Sequence, residues 1–439
     1  MSTTVTTTTT TTTTPSSTIV KNCSPLEPLD DTRRKDSMNN QTLSPLFRLA
    51  ELVHYKLLSL FPRSRLPQPA KSNAHPDLRG DAATLAAQLD GKTFRLPDLW
   101  KVFSEWPLAA NKHAQRLEGL VDSMLERIIT NEKKLKALKK ADFGRLIWYP
   151  DAEWPELEIA TAYSVWIFVW DDEVDAGDTD VSNDEELARA YYQKSLRTVH
   201  CLLGLDEDAT AERIAQEEQS LHPNMALFAD VGRGLRNATD RIQRERFYRE
   251  LENFMISVGV EHGHRMRGEI PTVEKYLHIR SGSVGCAPQI ALTDHMLGIR
   301  LPESIMECGP MKELWKETVV MCLILNDVYS VQKEIAQASL FNLVPVMYHN
   351  CSPKKQTLDA VTRGVEASLR ESMRGFEQAA KALVEMASDD DDAAVSRDVQ
   401  AFIKWCRYFI TGVLQWSLES KRYGMADCRH KDGSLSIVL

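Results

Sequence analysis

The sequence lacks the cysteine spacing that zinc ribbons and thioredoxin-like redox sites require. None of its eight cysteines are paired as C-x-x-C, so both kinds of site are excluded. No apolar run reaches about 18 residues, and we therefore expect no transmembrane helix. The N-terminus also lacks the basic-then-apolar pattern of a secretory signal. These absences predict a cytoplasmic protein whose thiols stay reduced.

An excess of positive charge is missing as well. The 53 lysines and arginines are outnumbered by 62 aspartates and glutamates, which gives a formal net charge of -9. A broad nucleic-acid surface needs a positive field, so we expect no nucleic-acid partner. A few local cations or bound metals can still reverse the sign of one cleft, which leaves room for an anionic ligand.

The first part of the chain has few apolar side chains that could form a core. Residues 6–14 are nine consecutive threonines, and such a run stays disordered. We predict a disordered Thr/Ser/Pro-rich extension over 1–88, with a short helix at 44–61. That helix is either held loosely by local contacts, which we favour, or docked on a partner or on the main body. One folded domain is predicted over 89–425, followed by a flexible tail over 426–439.

Strand patterns are scarce in the folded domain, whereas apolar residues recur there at the three- and four-residue spacing typical of helices. The segments with this pattern are 117–130, 155–175, 184–204, 243–268, 311–337, 361–387 and 398–423. Several of them are apolar on much of their surface, which indicates packing on several sides. The predicted fold class is all-α, as one large helical bundle.

Acidic residues end one of these apolar helices, in the stretch "WDDEVD" at 170–175. Asp171 and Asp175 stand at i and i+4 and so share a helix face. Their charges repel unless a cation lies between them, and hard divalent ions prefer carboxylate oxygens. An exposed helix end is the ordinary explanation of such a cluster. Taken alone, the stretch leaves both interpretations open.

A second polar stripe interrupts another apolar helix, in "LILNDVYSVQKE" at 323–334. Asn326, Ser330 and Glu334 stand at i, i+4 and i+8, and all three carry oxygen donors. An amide and a hydroxyl inside an apolar helix compete with its backbone unless they have partners. A metal ion would supply the partner, whereas a helix passing from core to surface is the plainer alternative.

Together, "DDEVD" and "NDVYSVQKE" resemble the two metal motifs of class I terpene cyclases, D-D-x-x-D and N-D-x-x-S-x-x-x-E. In "RSGSVG", Arg280 lies 46 residues before Asn326, where microbial members carry an arginine that senses the diphosphate. "WSLESKRY" ends in Arg422 and Tyr423, similar to the C-terminal Arg-Tyr pair of fungal and bacterial members. "FRLPDLW" is also similar to microbial members. The resemblance spans about 90–425, and the ordered set of motifs is specific although each is weak alone.

The resemblance implies a single-domain class I terpenoid synthase fold with a central apolar cavity and Mg²⁺ at its mouth. Three Mg²⁺ ions are implied, with Mn²⁺ as a substitute: Asp171 would hold two of them, and the stripe of Asn326, Ser330 and Glu334 the third. Asp172 and Asp175 would mainly orient ligands or waters. The candidate metal ligands are Asp171, Asp175, Asn326, Ser330 and Glu334.

The same resemblance implies four hydrogen-bond donors to the diphosphate, namely Arg280, Lys333, Arg422 and Tyr423. The sequence departs from many members after Arg280, because Ser283 and Val284 stand where Asp and Gly are common. We expect this departure to bear on how ionisation is triggered.

The apolar residues just before Asp171 should face the cavity below the metals. Ile167 and Phe168 share its helical face, as does Ser164. Core packing is the default for each aromatic residue, and Phe168 is the best candidate for stabilising a carbocation through its ring. The candidate catalytic residues are Asp171, Asp172, Asp175, Arg280 and Phe168.

The expected function is a magnesium-dependent terpene cyclase that ionises farnesyl diphosphate and closes the cation to a sesquiterpene. The alternatives are a diterpene cyclase acting on geranylgeranyl diphosphate, a chain-elongating prenyltransferase and a non-catalytic helical interaction protein. Elongating enzymes carry two Asp-rich motifs, which disfavours the second alternative. We expect a monomer or homodimer, and the Arg-Tyr pair with the long N-terminal extension suggests a fungal source.

Overall fold

The computed structural model describes residues 78–141, 149–175, 179–207, 209–388 and 393–439. The helices are α1 Gly80–Leu89, α2 Ala114–Ile128, α3 Glu132–Lys139, α4 Trp154–Asp175, α5 Asp180–Asn183, α6 Glu185–Leu202, α7 Ala211–Gln219, α8 Ala226–Ala238, α9 Arg241–Arg267, α10 Val273–Ser283, α11 Cys286–Ala291, α12 Thr293–Met296, α13 Glu303–Met306, α14 Gly309–Ala336, α15 Leu343–Asn350, α16 Leu358–Ser388 and α17 Ala393–Glu419. This architecture confirms the predicted all-α class. The threonine run and the helix predicted at 44–61 lie outside the described residues. Within the described residues, no helix combines the length and apolar character needed to cross a membrane.

The long predicted helices are present, and their ends follow local capping. Helix α14 begins at Gly309 because Pro310 suits a first turn and Cys308 Sγ accepts from Met311 N at 3.4 Å. The last helix, α17, ends at Glu419 and not at the predicted 423. The chain then turns and reaches Gly424, whose φ of 69° favours glycine. The Arg-Tyr pair therefore lies on a turn.

The C-terminal segment 426–439, predicted as a flexible tail, is instead tied to the start of the domain. Strand β2 (Leu435–Val438) pairs antiparallel with β1 (Thr93–Leu96). Leu435 and Ile437 are two residues apart in β2, so they share one face of the ribbon, and both are buried. The folded region also starts earlier than 89, since α1 begins at Gly80.

A break between α10 and α11 shapes the interior. Gly285 takes a φ of 73°, and a Cβ at this position would lie 3.2 Å from Ile167 Cδ1. A side chain would thus be strained by the backbone and crowded against α4. The close approach brings α10 and α11 against α4, where they form part of a cavity wall together with α9, α14 and α17.

Candidate active site

A cavity of about 130 Å³ lies between these helices, with a polar end and an apolar end. Its apolar lining consists mainly of Ile167, Phe168, Phe254, Phe409, Val413 and Trp416. On α4 and α14 the apolar lining residues come before the polar ones along the helix, and the apolar lining residues of α17 come before Arg422 and Tyr423 on the turn that follows it. Contacts of this turn with Asp172 and Asn326 show that these polar side chains meet at the same end of the cavity.

The last turns of α4 supply acidic side chains to this end. Asp171 and Asp172 both line the cavity. Asp175 is the last residue of α4, and its side chain lies outside the part that the structure describes. Ser164, expected to face the cavity, does not line it; its hydroxyl donates to the carbonyl of Ala160 at 2.8 Å.

Helix α14 places its polar stripe opposite Asp171. Asn326 and Glu334 line the same cavity. Asn342 Nδ2 holds the Glu334 carboxylate at 2.9 Å, and burial with the nearby Asp327 charge raises the pKa of Glu334. Ser330 lies between them on α14 and is buried, but it does not line the cavity. Its hydroxyl interacts with the Glu334 carboxylate and partly offsets the rise of that pKa.

Arg280 is fixed by three side chains around it. Its Nε donates to Asp327 Oδ1 at 3.0 Å, one Nη to Asn326 Oδ1 at 2.6 Å, and the other to Ser283 Oγ at 3.5 Å. Burial opposes a charged guanidinium, but Asp327 and Glu261 outweigh it and raise the pKa of Arg280. The guanidinium thus stays charged and oriented at the mouth of the cavity.

The turn after α17 closes the polar end from the other side. Arg422 donates to both oxygens of Asp172, at 2.7 and 3.3 Å, and Asn326 Nδ2 donates to the Tyr423 hydroxyl at 3.2 Å. Burial would raise the pKa of Asp172, yet the charge of Arg422, assisted by Lys333, holds it below its usual value. The Nε of Arg422 is buried without a partner in the described structure, which leaves a donor for an anion.

Two acidic residues at the site escaped the sequence analysis. Asp327 is fully buried and accepts from Arg280, from the Tyr276 hydroxyl and from Leu343 N. The only signal for it was its place inside the N-D motif. Glu261 lines the cavity from α9 and accepts from Ser283 Oγ at 2.5 Å. No sequence spacing relates Glu261 to Ser283, since they lie on different helices.

An aromatic cluster separates the polar end from the apolar end. The Phe168 ring lies 5.6 Å from that of Trp416, which in turn lies 5.5 Å from that of Tyr423. The Arg422 guanidinium carbon lies 5.4 Å from the centre of the Phe168 ring. Because an aromatic face attracts cations, this face already holds one positive group close to the cavity.

The donors at the mouth fit a hard divalent ion. Asp171 and Glu334 offer carboxylates, Asn326 a carbonyl oxygen with a second lone pair, and Ser330 a hydroxyl next to Glu334. No three His, Cys, Asp or Glu side chains form a closed cage within the residues described. Such an open donor set suits Mg²⁺, which keeps waters and takes substrate phosphates as ligands.

Known proteins share both the sequence pattern and the fold. Residues 162–371 match the model of "Terpene synthase family 2, C-terminal metal binding". The sesquiterpene cyclase hepA of Aspergillus oryzae is 28% identical over 81% of this chain and 96% of its own length. The silphinene synthase peniA of Penicillium patulum is 23% identical over 76% of this chain and 87% of its own length. The crystal structure of α-eudesmol synthase superposes with a TM-score of 0.60 at 17% identity, over 72% of this chain and 97% of that one. This last likeness concerns the fold alone.

Proposed function

This chain belongs to the class I terpene cyclases, and from that premise we propose that it converts farnesyl diphosphate to a cyclic sesquiterpene with Mg²⁺. One observation carries the proposal: Asp171 on α4 and the Asn326 and Glu334 pair on α14 line the mouth of one apolar cavity. The C15 substrate is further supported by relatives that are named sesquiterpene cyclases. A C20 substrate is the alternative that the experiment below distinguishes.

The residues that would hold Mg²⁺ are Asp171 on one side and Asn326, Ser330 and Glu334 on the other, with Asp175 as a further candidate ligand. When bound, the metal would supply Lewis-acid stabilisation of the diphosphate leaving group. We propose three ions, as the resemblance to class I terpene cyclases implies, and the protein alone provides too few ligands to complete their coordination shells. The remaining positions would be taken by waters and diphosphate oxygens.

The cationic side chains at the mouth would bind and orient the diphosphate. Arg280 and Arg422 are held by Asp327 and Asp172 before any substrate arrives, and fixed donors of this kind need little reorganisation during the reaction. Lys333 lines the same end, and the Tyr423 hydroxyl lies beside Asn326. Together they favour cleavage of the bond between the prenyl carbon and the diphosphate oxygen.

The apolar end would shape the carbocation and exclude bulk water. Phe168 and Trp416 line it as a pair of aromatic rings, and aromatic rings stabilise positive charge without reacting with it. Expelling solvent from the site also prevents premature quenching of the cation. The fold of the hydrocarbon chain over this wall would decide which ring forms.

Incubation of the purified protein with C10, C15 or C20 prenyl diphosphate and Mg²⁺ tests the proposal. We expect cyclic product and diphosphate from the C15 substrate, measured by gas chromatography with mass spectrometry and by phosphate assay, and none after chelation of the metal. Cyclic product from the C20 substrate alone would replace the C15 assignment. A longer diphosphate as product would overturn cyclisation.

A further inference from the structure

The deep end of the cavity holds polar groups that a hydrocarbon chain does not need. Gln289 on α11 lines the cavity and is 5% exposed. The ring of its partner Tyr149 stacks on that of Trp405, with the ring centres 5.6 Å apart. Trp405 lies on α17, roughly 20 Å of helix before the C-terminal end that leads to the mouth. Gln289 therefore lies far below the mouth.

The Gln289 amide is satisfied at one end only. Its Oε1 accepts from the Tyr149 hydroxyl at 3.2 Å, and this is its one hydrogen bond to the described residues. Gln289 lines the cavity, and its NH₂ group makes no hydrogen bond to the described residues. The Tyr149 bond occupies the amide oxygen, so both N–H donors stay available for another partner.

A second unpaired group lies close by. Tyr163 on α4 is fully buried, and its hydroxyl has no partner in the described part of the chain. Tyr163 does not itself line the cavity, but it lies one turn before Ile167, which does. Burial raises the pKa of the Tyr149 and Tyr163 phenols well above the usual value. Both tyrosines therefore stay protonated at neutral pH and act as neutral hydrogen-bonding groups.

The unpaired NH₂ group of Gln289, a residue of the cavity wall, points to a bound ligand. Leaving a buried donor unsatisfied costs about 1–3 kcal/mol, so buried polar groups are normally paired. A terpene hydrocarbon offers no acceptor. A water molecule offers two lone pairs and two protons, and buried waters typically bind to otherwise unpaired groups.

We propose that Gln289, oriented by Tyr149, holds one water molecule at the deep end of the cavity, and that this water ends the cyclisation as an alcohol. The inference rests on the proposed function. The bond from carbon to diphosphate oxygen breaks first. A lone pair of the water then forms a C–O bond to the cationic carbon, and the surplus proton ends on the released diphosphate. Prenyl diphosphate and water thus give a cyclic terpene alcohol and diphosphate, with no oxidant.

Turnover in oxygen-18 water tests this directly. We expect the main product of the wild-type enzyme to be an alcohol that carries the label. Hydrocarbons as main products, with diphosphate still released, would overturn the water site and leave the cyclase standing. An unlabelled alcohol would overturn it too, since its oxygen would come from the diphosphate. Failure to release diphosphate from any prenyl substrate would overturn the cyclase proposal and this inference with it.

The Gln289→Leu variant tests whether the amide holds this water molecule. We expect its ratio of alcohol to hydrocarbon to fall by about tenfold or more, as loss of ~1.4 kcal/mol implies, while diphosphate release stays near the wild-type rate. Tyr149→Phe should shift the ratio in the same direction. Phe409→Leu, which changes the apolar lining only, should alter the ring skeletons and keep the label. An unchanged ratio in Gln289→Leu would contradict the assignment, and the wild-type labelling decides the proposal even if that variant fails to fold.

Discussion

Replacing Glu261 by Gln removes one negative charge next to the diphosphate-binding arginine and changes little else. The carboxylate accepts from Ser283 Oγ at 2.5 Å, and that hydroxyl lies 3.5 Å from an Nη of Arg280. We expect Glu261 to act as a positioning residue that holds Arg280 toward the departing diphosphate. The Gln side chain keeps the shape and can still accept a hydrogen bond, so the variant isolates the charge.

The size of the effect follows from the charge that is lost, since the hydrogen bond itself is kept. A hydrogen bond to a charged group contributes about 1.5–3 kcal/mol and a neutral one about 0.5–1.5 kcal/mol, so the substitution loses about 1–1.5 kcal/mol. Since each ~1.36 kcal/mol changes a rate tenfold, we expect kcat/KM to fall by roughly 5- to 10-fold. Because Arg280 would act on charge that develops at ionisation, the loss should lie mainly in kcat, with KM little changed.

Steady-state diphosphate release and thermal unfolding measure this prediction. Glu245→Gln is the matched control, since Glu245 lies on the same helix in an exposed ion pair with Arg241, and it should keep full activity. Adding Ser283→Asp to Glu261→Gln places a carboxylate within reach of Arg280 and should restore much of kcat. Wild-type kcat in Glu261→Gln, or a stable double variant with no recovery, would refute the positioning role.

Three further predictions concern the metal donors, the cavity wall and a buried acid. Asn326→Ala and Glu334→Ala should nearly abolish turnover while the far-UV circular dichroism stays unchanged, and undiminished product would contradict the metal assignment. Phe168→Ala should change product ratios more than total rate, because its ring faces the cavity; a change in folding yield alone would make Phe168 a core residue. Burial raises the pKa of Glu250 from 4.5 to about 7, so its contribution to stability is full below pH 4.5 and is lost as pH rises through 7. Glu250→Gln should therefore flatten the fall of Tm between pH 5 and 8, and parallel curves for both proteins would exclude this origin.

Periodicity was enough to predict the long helices. Helices α4 and α14 begin with largely apolar turns and change to polar donors in their C-terminal halves, at Asp171 and Asn326. The polar end of the cavity could thus be anticipated from spacing together with the family resemblance. The ribbon of β1 and β2 was missed because a four-residue strand shows too little alternation to distinguish it from a loop.

Contacts between helices could not be predicted from the sequence. Glu261 accepts a hydrogen bond from Ser283, 22 positions further along the sequence, and Arg422 donates to Asp172 over a separation of 250 positions. Neither pairing follows from any helical period, because each depends on how the helices pack. Gln289 was missed for the same reason, because a single amide in a short helix forms no sequence pattern. Only the structure shows that Gln289 lines the cavity and bonds to Tyr149.

The central claim is that oxygen donors from α4 and α14 form one metal and diphosphate site. A crystal structure of the protein with Mn²⁺ and diphosphate, read by anomalous scattering, measures this directly. We predict ions at ~2.1 Å from oxygens of Asp171 on one side and of Asn326, Ser330 and Glu334 on the other, bridged by a diphosphate that Arg280 and Arg422 contact. Manganese bound elsewhere, or diphosphate held at the mouth without any metal, would contradict the account.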